Sequence, residues 1–220
     1  MDAIQNNLTK LRYGNSAWEG IMKKIAIFGA SGFIGQHLTH YLADQYKLIL
    51  ITRKRNRIKD SPHNVYTWQD LDSNPHILES CDYIINLCGQ SLLGIWTKSY
   101  RQTLYDSRIK PMQKIASYLD TIQKKIPLIC ASGIGIYGYQ DGISPIQLPE
   151  PIAENSSPGK PYFLSELGQA WESALPKEHQ AYACFMRLGV VLDSRGGSLP
   201  YMALPHRFGL GATWGDGSQP

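Results

Sequence analysis

Gly29, Gly32 and Gly35 recur at every third position in Met22-Lys-Lys-Ile-Ala-Ile-Phe-Gly29-Ala-Ser-Gly32-Phe-Ile-Gly35, directly after the apolar run Ile25–Phe28. The chemistry this spacing permits is anion binding by the backbone. Gly29 lets the chain turn tightly off a strand, Gly32 removes a side chain where a pyrophosphate must approach, and Gly35 lets a helix pack close to a sheet. The free N–H groups at the start of that helix face the anion, so Ser31, Phe33 and Ile34 join the three glycines as candidate cofactor contacts. The spacing is G-x-x-G-x-x-G rather than the commoner G-x-G-x-x-G. What separates it from an ordinary glycine-rich turn is its context, with a strand pattern before it and a helix pattern after it.

A second candidate set lies at the end of the next apolar run. Lys47-Leu-Ile-Leu-Ile-Thr52 reads as a strand covered on both faces, and Arg53-Lys54-Arg55 follows it. A site that prefers NAD usually carries Asp or Glu there, to accept from the ribose hydroxyls. This chain has no acid at that point, and a guanidinium grips a phosphate monoester with several planar donors. Thr52, Arg53 and Arg55 therefore point to NADP(H), with NAD less favoured; without a ligand the same residues would be a solvated basic loop. In a doubly wound sheet, ligands sit outside the carboxyl ends of the strands. Two further strand ends should reach that rim: Leu87, Cys88 and Gly89 after Tyr83-Ile-Ile-Asn86, and Ala131 and Ser132 after Pro127-Leu-Ile-Cys.

The elements that must position these residues follow from periodicity. Strand-type runs cover Ile25–Phe28, Lys47–Thr52, Asn64–Trp68, Tyr83–Asn86, Pro127–Ala131 and Ala181–Leu188, with Val190-Val-Leu192 a short extension. Helical patterns lie between them. The first starts at Phe33 and carries Leu38, Tyr41 and Leu42; one is expected near Pro75–Ser80; a long one runs from about Thr97 to Lys125. Pro111 falls inside the long one and predicts a kink or break. A last helix over Tyr162–Leu175 places Leu164, Leu167, Ala170, Trp171 and Ala174 on one face. This alternation implies an α/β fold, a doubly wound parallel sheet with helices on both faces. Residues 1–21 read as an N-terminal extension, without the apolar core of a signal peptide, from which Leu8, Leu11 and Trp18 could dock. Residues 22–220 read as the nucleotide-binding domain, with a loop rich in Pro, Gly and Ser over about 140–161.

Bulk properties narrow the class. A chain of 220 residues has ample length for one core, and 43% hydrophobic with 18% charged residues is globular. The net charge of +4 is mild and partly local to Arg53–Lys59, which argues against a nucleic-acid partner. No apolar run is long enough to span a membrane. Cys81, Cys88, Cys130 and Cys184 form no C-x-x-C pair and suggest buried, reduced thiols in a cytoplasmic protein. Neither the cysteines nor His37, His40, His179 and His206 have a spacing that suggests a metal site.

These strand-end motifs together resemble the extended short-chain dehydrogenase/reductase superfamily, and within it the epimerase-family, nucleoside-diphosphate-sugar-epimerase-like branch. Gly29-Ala-Ser-Gly32-Phe-Ile-Gly35 is similar to its glycine signature, and Asn86-Leu-Cys-Gly89 to its Asn-Leu-Ala-Gly. Trp96-Thr97 is similar to its Arg-Trp-Thr, and Ser132–Gly138 to its Ser-Ala-x-Gly-x-Tyr-Gly. Phe163-Leu164 through Trp171-Glu172, Arg187-Leu-Gly189-Val-Val-Leu192 with Gly196-Gly197, and Pro205-His-Arg-Phe-Gly209-Leu-Gly211 continue the series in order. The resemblance covers about residues 22–220 and implies a Rossmann-type fold, hydride chemistry on a nicotinamide cofactor, and a small-molecule, nucleotide-sugar-like substrate. It also implies homodimers paired through the two long helices, and it places Arg108, in Asp106-Ser107-Arg108, near the cofactor. Relatives continue beyond Pro220 into a small lobe over the substrate, so that lobe is expected to be largely missing here.

The resemblance also implies a catalytic arrangement that this chain only partly matches. Superfamily enzymes pair a Tyr with a Lys four residues later, which shares its helix face and lowers the Tyr pKa; a Ser at the preceding strand end orients the substrate. Here Tyr162 has Glu166 at the Lys position, and a carboxylate there is expected to raise the pKa of Tyr162. The usual Ser position is Gly133, with Ser132 one place early. Tyr162, Ser132 and Tyr137 are the candidate catalytic residues. The alternative expectation is a module that holds NADP without chemistry, as a sensor or regulator or as a truncated inactive product.

Overall fold

The computed structural model describes residues 22–138, 152–156 and 162–211; residues 1–21, the larger part of the 140–161 loop and the stretch after Gly211 lie outside the described residues. Six parallel strands form one sheet: β1 Lys24–Phe28, β2 Lys47–Thr52, β3 Asn64–Thr67, β4 Tyr83–Asn86, β5 Leu128–Gly133 and β6 Ala183–Leu188. Their order is β3-β2-β1-β4-β5-β6. The chain runs outward from β1 to β3, then crosses back to place β4 on the other side of β1. That reversal opens a crevice between the carboxyl ends of β1 and β4, where Phe28 is in register with Asn86. A two-residue antiparallel ribbon, β7 Leu192–Asp193 and β8 Gly196–Gly197, follows the sheet.

The helices are α1 Phe33–Leu42, α2 Trp68–Ser73, α3 Lys98–Ile122, α4 Phe163–Ser173, α5 Lys177–Gln180 and α6 Leu199–Arg207, with single 3-10 turns at Arg55–Arg57, Pro75–Ser80 and Ile134–Tyr137. Alternate residues of each central strand serve opposite faces. On β1, Ile25 and Ile27 join Leu48, Leu50 and Ile85 under Leu38 and Leu42 of α1. Ala26 and Phe28 join Ile49, Ile51 and Ile84 under Met112, Ile115, Ala116 and Leu119 of α3 and Trp171 of α4. Both faces are thus covered, and this Rossmann-type architecture agrees with the one expected from the sequence.

Three local expectations need correction. The third strand ends at Thr67, because Thr67 caps α2: its hydroxyl accepts from the Asp70 N–H while the Asp70 carboxylate accepts from the Thr67 N–H, at 2.6 Å. The expected helix at Pro75–Ser80 is a 3-10 turn that follows α2. Pro111 does not break the long helix, which is continuous from Lys98 to Ile122. A proline inside a helix costs about 3 kcal/mol, whereas each fully buried aliphatic side chain contributes ~1.5–3 kcal/mol. Leu104, Met112, Ile115, Leu119 and Ile122 are all buried along α3 and outweigh the proline.

Candidate functional site

The glycine turn is built by backbone contacts. Gly29 has φ +80°, and a Cβ there would stand 2.9 Å from the backbone of Leu87, so β1 and β4 approach too closely for any side chain. The Gly29 and Ala30 N–H groups donate to the Ile51 carbonyl, and the Leu87 N–H donates to Phe28 O at 2.9 Å. Gly35 sits on the turn itself: its notional Cβ would overlap Gly29 O and lie 2.8 Å from Ala30 Cα. Gly32 is the N-cap of α1 and provides no side-chain cap, and the first turn of α1 contains no acidic residue. The first N–H groups of the helix, with the positive end of its dipole, are therefore left for an anion.

The cleft over this turn is lined by Gly29, Ser31, Gly32, Thr52, Arg53, Arg57, Trp68, Leu87, Cys88, Gly89, Gln90, Ser107 and Pro111. Ser31 Oγ and Thr52 Oγ1 lie 2.9 Å apart and tie the turn to the end of β2. The loop after β4 is equally fixed. Buried Asn86 accepts from the Cys88 N–H at 3.0 Å, and Ser107 Oγ accepts from the Gln90 N–H at 2.9 Å. Burial pushes the Cys88 thiol up to about 12 against the opposing pull of Arg53, so this sulfur is a packing group rather than a nucleophile.

The arginines divide differently from the sequence reading. Arg53 faces the cleft, but Arg55 donates to Asp70 at 2.9 Å and lies outside the cleft lining, while Arg57 takes a place in it. Arg55 and Arg57 lie two residues apart in a 3-10 turn, where successive side chains are about 120° apart, so the two do not share a face. Phe33 is also engaged elsewhere: Cβ atoms on Gly196 and Gly197 would fall 2.7 and 2.8 Å from its ring, so β7–β8 rests against it. Ile34 is half-buried and Ala131 buried. Sequence reasoning had not assigned Arg57, Trp68, Gln90 or Pro111 to the cleft. The Arg53–Lys59 run was a signal for Arg57; Trp68 could have been found from its place just beyond the carboxyl end of β3, at the start of α2.

The candidate catalytic groups lie outside that lining. Ser132 donates to Glu172 Oε1 at 2.7 Å, and Glu172 accepts both from Arg187 Nε and from Arg187 Nη2 at 2.9 Å. Arg187 donates its remaining bonds to the Tyr137 hydroxyl and to Glu154 O. Ser132 and Arg187 are register partners on β5 and β6, and Glu172 reaches both from α4. Tyr162 precedes α4, and its hydroxyl is 3.4 Å from the Cβ position of Gly135, over the turn that follows β5. Its pKa is raised, but by burial; the exposed Glu166 instead contributes to raising Tyr105, after burial. The expectation that Glu166 would raise Tyr162 is thus corrected. Among the described residues no group of His, Cys, Asp and Glu is arranged to hold a metal.

Cys81 and Cys130 are buried as expected, whereas Cys184 is exposed. Among the described residues no helix is long and apolar enough to cross a membrane.

Comparison with known proteins agrees with this geometry. The model of the NAD-dependent epimerase/dehydratase family matches residues 25–202. An epimerase family protein of Bacillus subtilis is 34% identical over 205 residues, which are 89% of this chain and 63% of that protein. The nucleoside-diphosphate sugar epimerase of Corynebacterium glutamicum superposes with a TM-score of 0.69 at 26% identity, covering 96% of this chain and 43% of that one. UDP-glucuronic acid 4-epimerase of Bacillus cereus, solved in complex with NAD, superposes with a TM-score of 0.60 at 20% identity, over 80% of this chain and 59% of that one. The chain therefore spans less than two thirds of each of these relatives. With the family model covering most of the sheet and the glycine turn built as described, the chain belongs to the NAD-dependent epimerase/dehydratase family.

Proposed function

We propose that this chain binds NADP(H) in the cleft over the glycine turn and serves an oxidoreductase or epimerase-like reaction on a small, nucleotide-sugar-like molecule. The observation that carries the cofactor choice is that Arg53 and Arg57 line the cleft at the end of β2, with no carboxylate in the lining among the described residues. Two guanidinium groups there suit a 2′-phosphate, and the carboxylate that would accept from a free ribose is missing. The N–H groups at the start of α1 would hold the pyrophosphate, and Gly89 and Gln90 would lie along the other half of the dinucleotide. When bound, the nicotinamide supplies the hydride chemistry. Tyr162 is the side chain best placed to move a proton, being 36% exposed at the head of α4. The substrate class rests on the family and on the nucleotide-sugar epimerases that share the fold.

A second reading is favoured by the hydrogen bonds at β5 and β6. Ser132 is committed to Glu172, Tyr137 is engaged by Arg187, and Glu166 replaces the lysine that would assist Tyr162. In that reading the chain holds the dinucleotide as a sensing or regulatory module. Parallel calorimetric titration with NADPH and NADH tests the cofactor claim. Tighter binding of NADPH, lost selectively in Arg53→Ala, is expected; equal losses for both cofactors would remove the phosphate assignment. Substrate-dependent absorbance change at the reduced nicotinamide band, abolished by Tyr162→Phe, separates the catalytic reading from the silent one.

A further inference from the structure

Arg108 is a buried cation without a counter-charge among the described residues: it is 7% exposed on α3, and no carboxylate pairs with it there. Its guanidinium donates to Leu104 O at 3.1 Å and to Gln90 O at 3.0 Å, and stacks 4.9 Å from the Trp171 ring centroid. A Cβ on Gly89 would lie 3.4 Å from the guanidinium carbon, so the guanidinium packs against Gly89, which lines the cleft. Burial without a carboxylate pushes its pKa down to about 10, still charged at neutral pH. The nearest acid in sequence to Trp171, Glu172, is occupied by Arg187.

A buried, unpaired positive charge is costly, and here it stands directly behind two residues that line the cleft. Arg53, Arg57 and Trp68 belong to the end of the cleft proposed for the adenosine phosphate, with the glycine turn next to them. The remaining lining, Gly89, Gln90 and Ser107, is left for the nicotinamide half. We propose that Arg108 is a specificity-determining residue that biases this cleft toward the reduced form of its nicotinamide cofactor. The inference rests on the cofactor reading above. The oxidised nicotinamide ring carries a positive charge and the reduced ring is neutral, while the phosphates are the same in both. Arg108 therefore repels one ring and is indifferent to the other. A unit charge in the wall of the same cleft, at an effective dielectric near ~20, makes that difference on the order of tenfold in affinity.

The test is the ratio of Kd for NADP+ to Kd for NADPH, measured calorimetrically on the full chain, in the wild type, Arg108→Met and Arg108→Lys. The expected result is a wild-type ratio on the order of ten, a ratio several-fold lower in Arg108→Met, and a ratio restored in Arg108→Lys. A residue that merely braces the Gly89–Gln90 loop would weaken both forms alike; an unchanged ratio in Arg108→Met overturns the proposal. So does a wild-type ratio of one, which needs no variant. If Arg108→Met does not fold by circular dichroism, Arg108→Gln, which keeps a donor toward Gln90 O, provides the uncharged comparison. A wild type that binds neither form refutes the cofactor reading itself, an outcome distinct from binding without preference.

Discussion

Gly32 and Gly35 lie three residues apart in one turn, yet the structure separates what each does. Gly35→Ala places a methyl group against Gly29 O and 2.8 Å from both Ala30 Cα and Ala30 O. These are backbone atoms held by the Gly29 and Ala30 bonds to Ile51 O, so they cannot turn aside. Helix α1 must lift off the turn by several tenths of an ångström or more. Overpacking of this kind costs ~1–3 kcal/mol, against a gain of about 0.5–1 kcal/mol from replacing a helical glycine by alanine. Because the clash is with fixed backbone, the upper end of that cost applies, and the net loss of about 2–2.5 kcal/mol lowers Tm by roughly 4–10 °C for a domain of this size. Gly32→Val differs: a Cβ there meets Gly29 O at 3.1 Å and no other atom within 4 Å, and Gly32 lines the cleft. Valine is a poorer N-cap than glycine by about 1 kcal/mol, so Tm should fall by only a few degrees, while dinucleotide affinity is lost because the branched side chain fills the anion position. Scanning calorimetry with and without NADPH reads both effects. A Gly35→Ala protein as stable as wild type would refute the packing argument, and a Gly32→Val protein that still binds NADPH tightly would refute the placement of the pyrophosphate.

The buried thiols give a pH prediction. Burial raises Cys81 to about 11 and Cys88 and Cys130 to about 12, above the ordinary thiol value near 9. Their contribution to stability is intact below the unfolded value and is lost as pH rises through the folded one. Tm should therefore fall between about pH 9 and 12, and a Cys81→Ala, Cys130→Ala variant should lose part of that slope. Denaturant midpoints measured against pH check this, and a flat profile would contradict it. Glu172→Gln leaves Arg187 with no carboxylate at a pair whose side chains are 25% and 16% exposed. Partial burial puts the cost at about 2 kcal/mol, below the fully buried case. Tm should drop by several degrees, and an unchanged Tm would show that the pair contributes little.

The central strands were legible because a strand covered on both faces has nowhere to place polar residues, and Leu48–Thr52 shows this along its length. The glycine turn was legible because its chemistry is in the backbone, so spacing alone describes it. Side-chain direction was much less legible. Arg55 and Arg57 look equivalent in a basic run, and only the 3-10 turn sends one to Asp70 and the other to the cleft. Helix α2 was hidden because β3 passes into it without a linker, so the strand pattern and the helix pattern share Thr67. Pro111 misled because local propensity was weighed without the burial that α3 gains from the sheet. The Ser132–Glu172–Arg187 group joins residues 40 and 15 positions apart, brought together by the register of β5 with β6, which no local pattern encodes.

The two buried-side arginines show why cofactor binding and catalysis separate in this fold. Arg187 is neutralised: Glu172 takes two of its donors and accepts from Ser132 as well, so the β5–β6 rim presents little field and the Ser132 hydroxyl proton is already committed. Arg108 is not neutralised, and its bonds run to carbonyl oxygens, which fix its position without cancelling its charge. Together with Arg53, Arg57 and the open end of α1, the cleft therefore gathers positive potential where a phosphate-rich dinucleotide would lie. None of these groups depends on the Ser132, Tyr137 and Arg187 bonds. The cleft can hold its cofactor whether or not Tyr162 transfers a proton. In the catalytic reading, proton transfer by Tyr162 would need a nearby positive charge; Glu166 stands four residues on instead, and burial raises the Tyr162 pKa. A substrate that supplies its own cationic group beside Tyr162 would remove that obstacle, whereas one that relies on the protein for it would not.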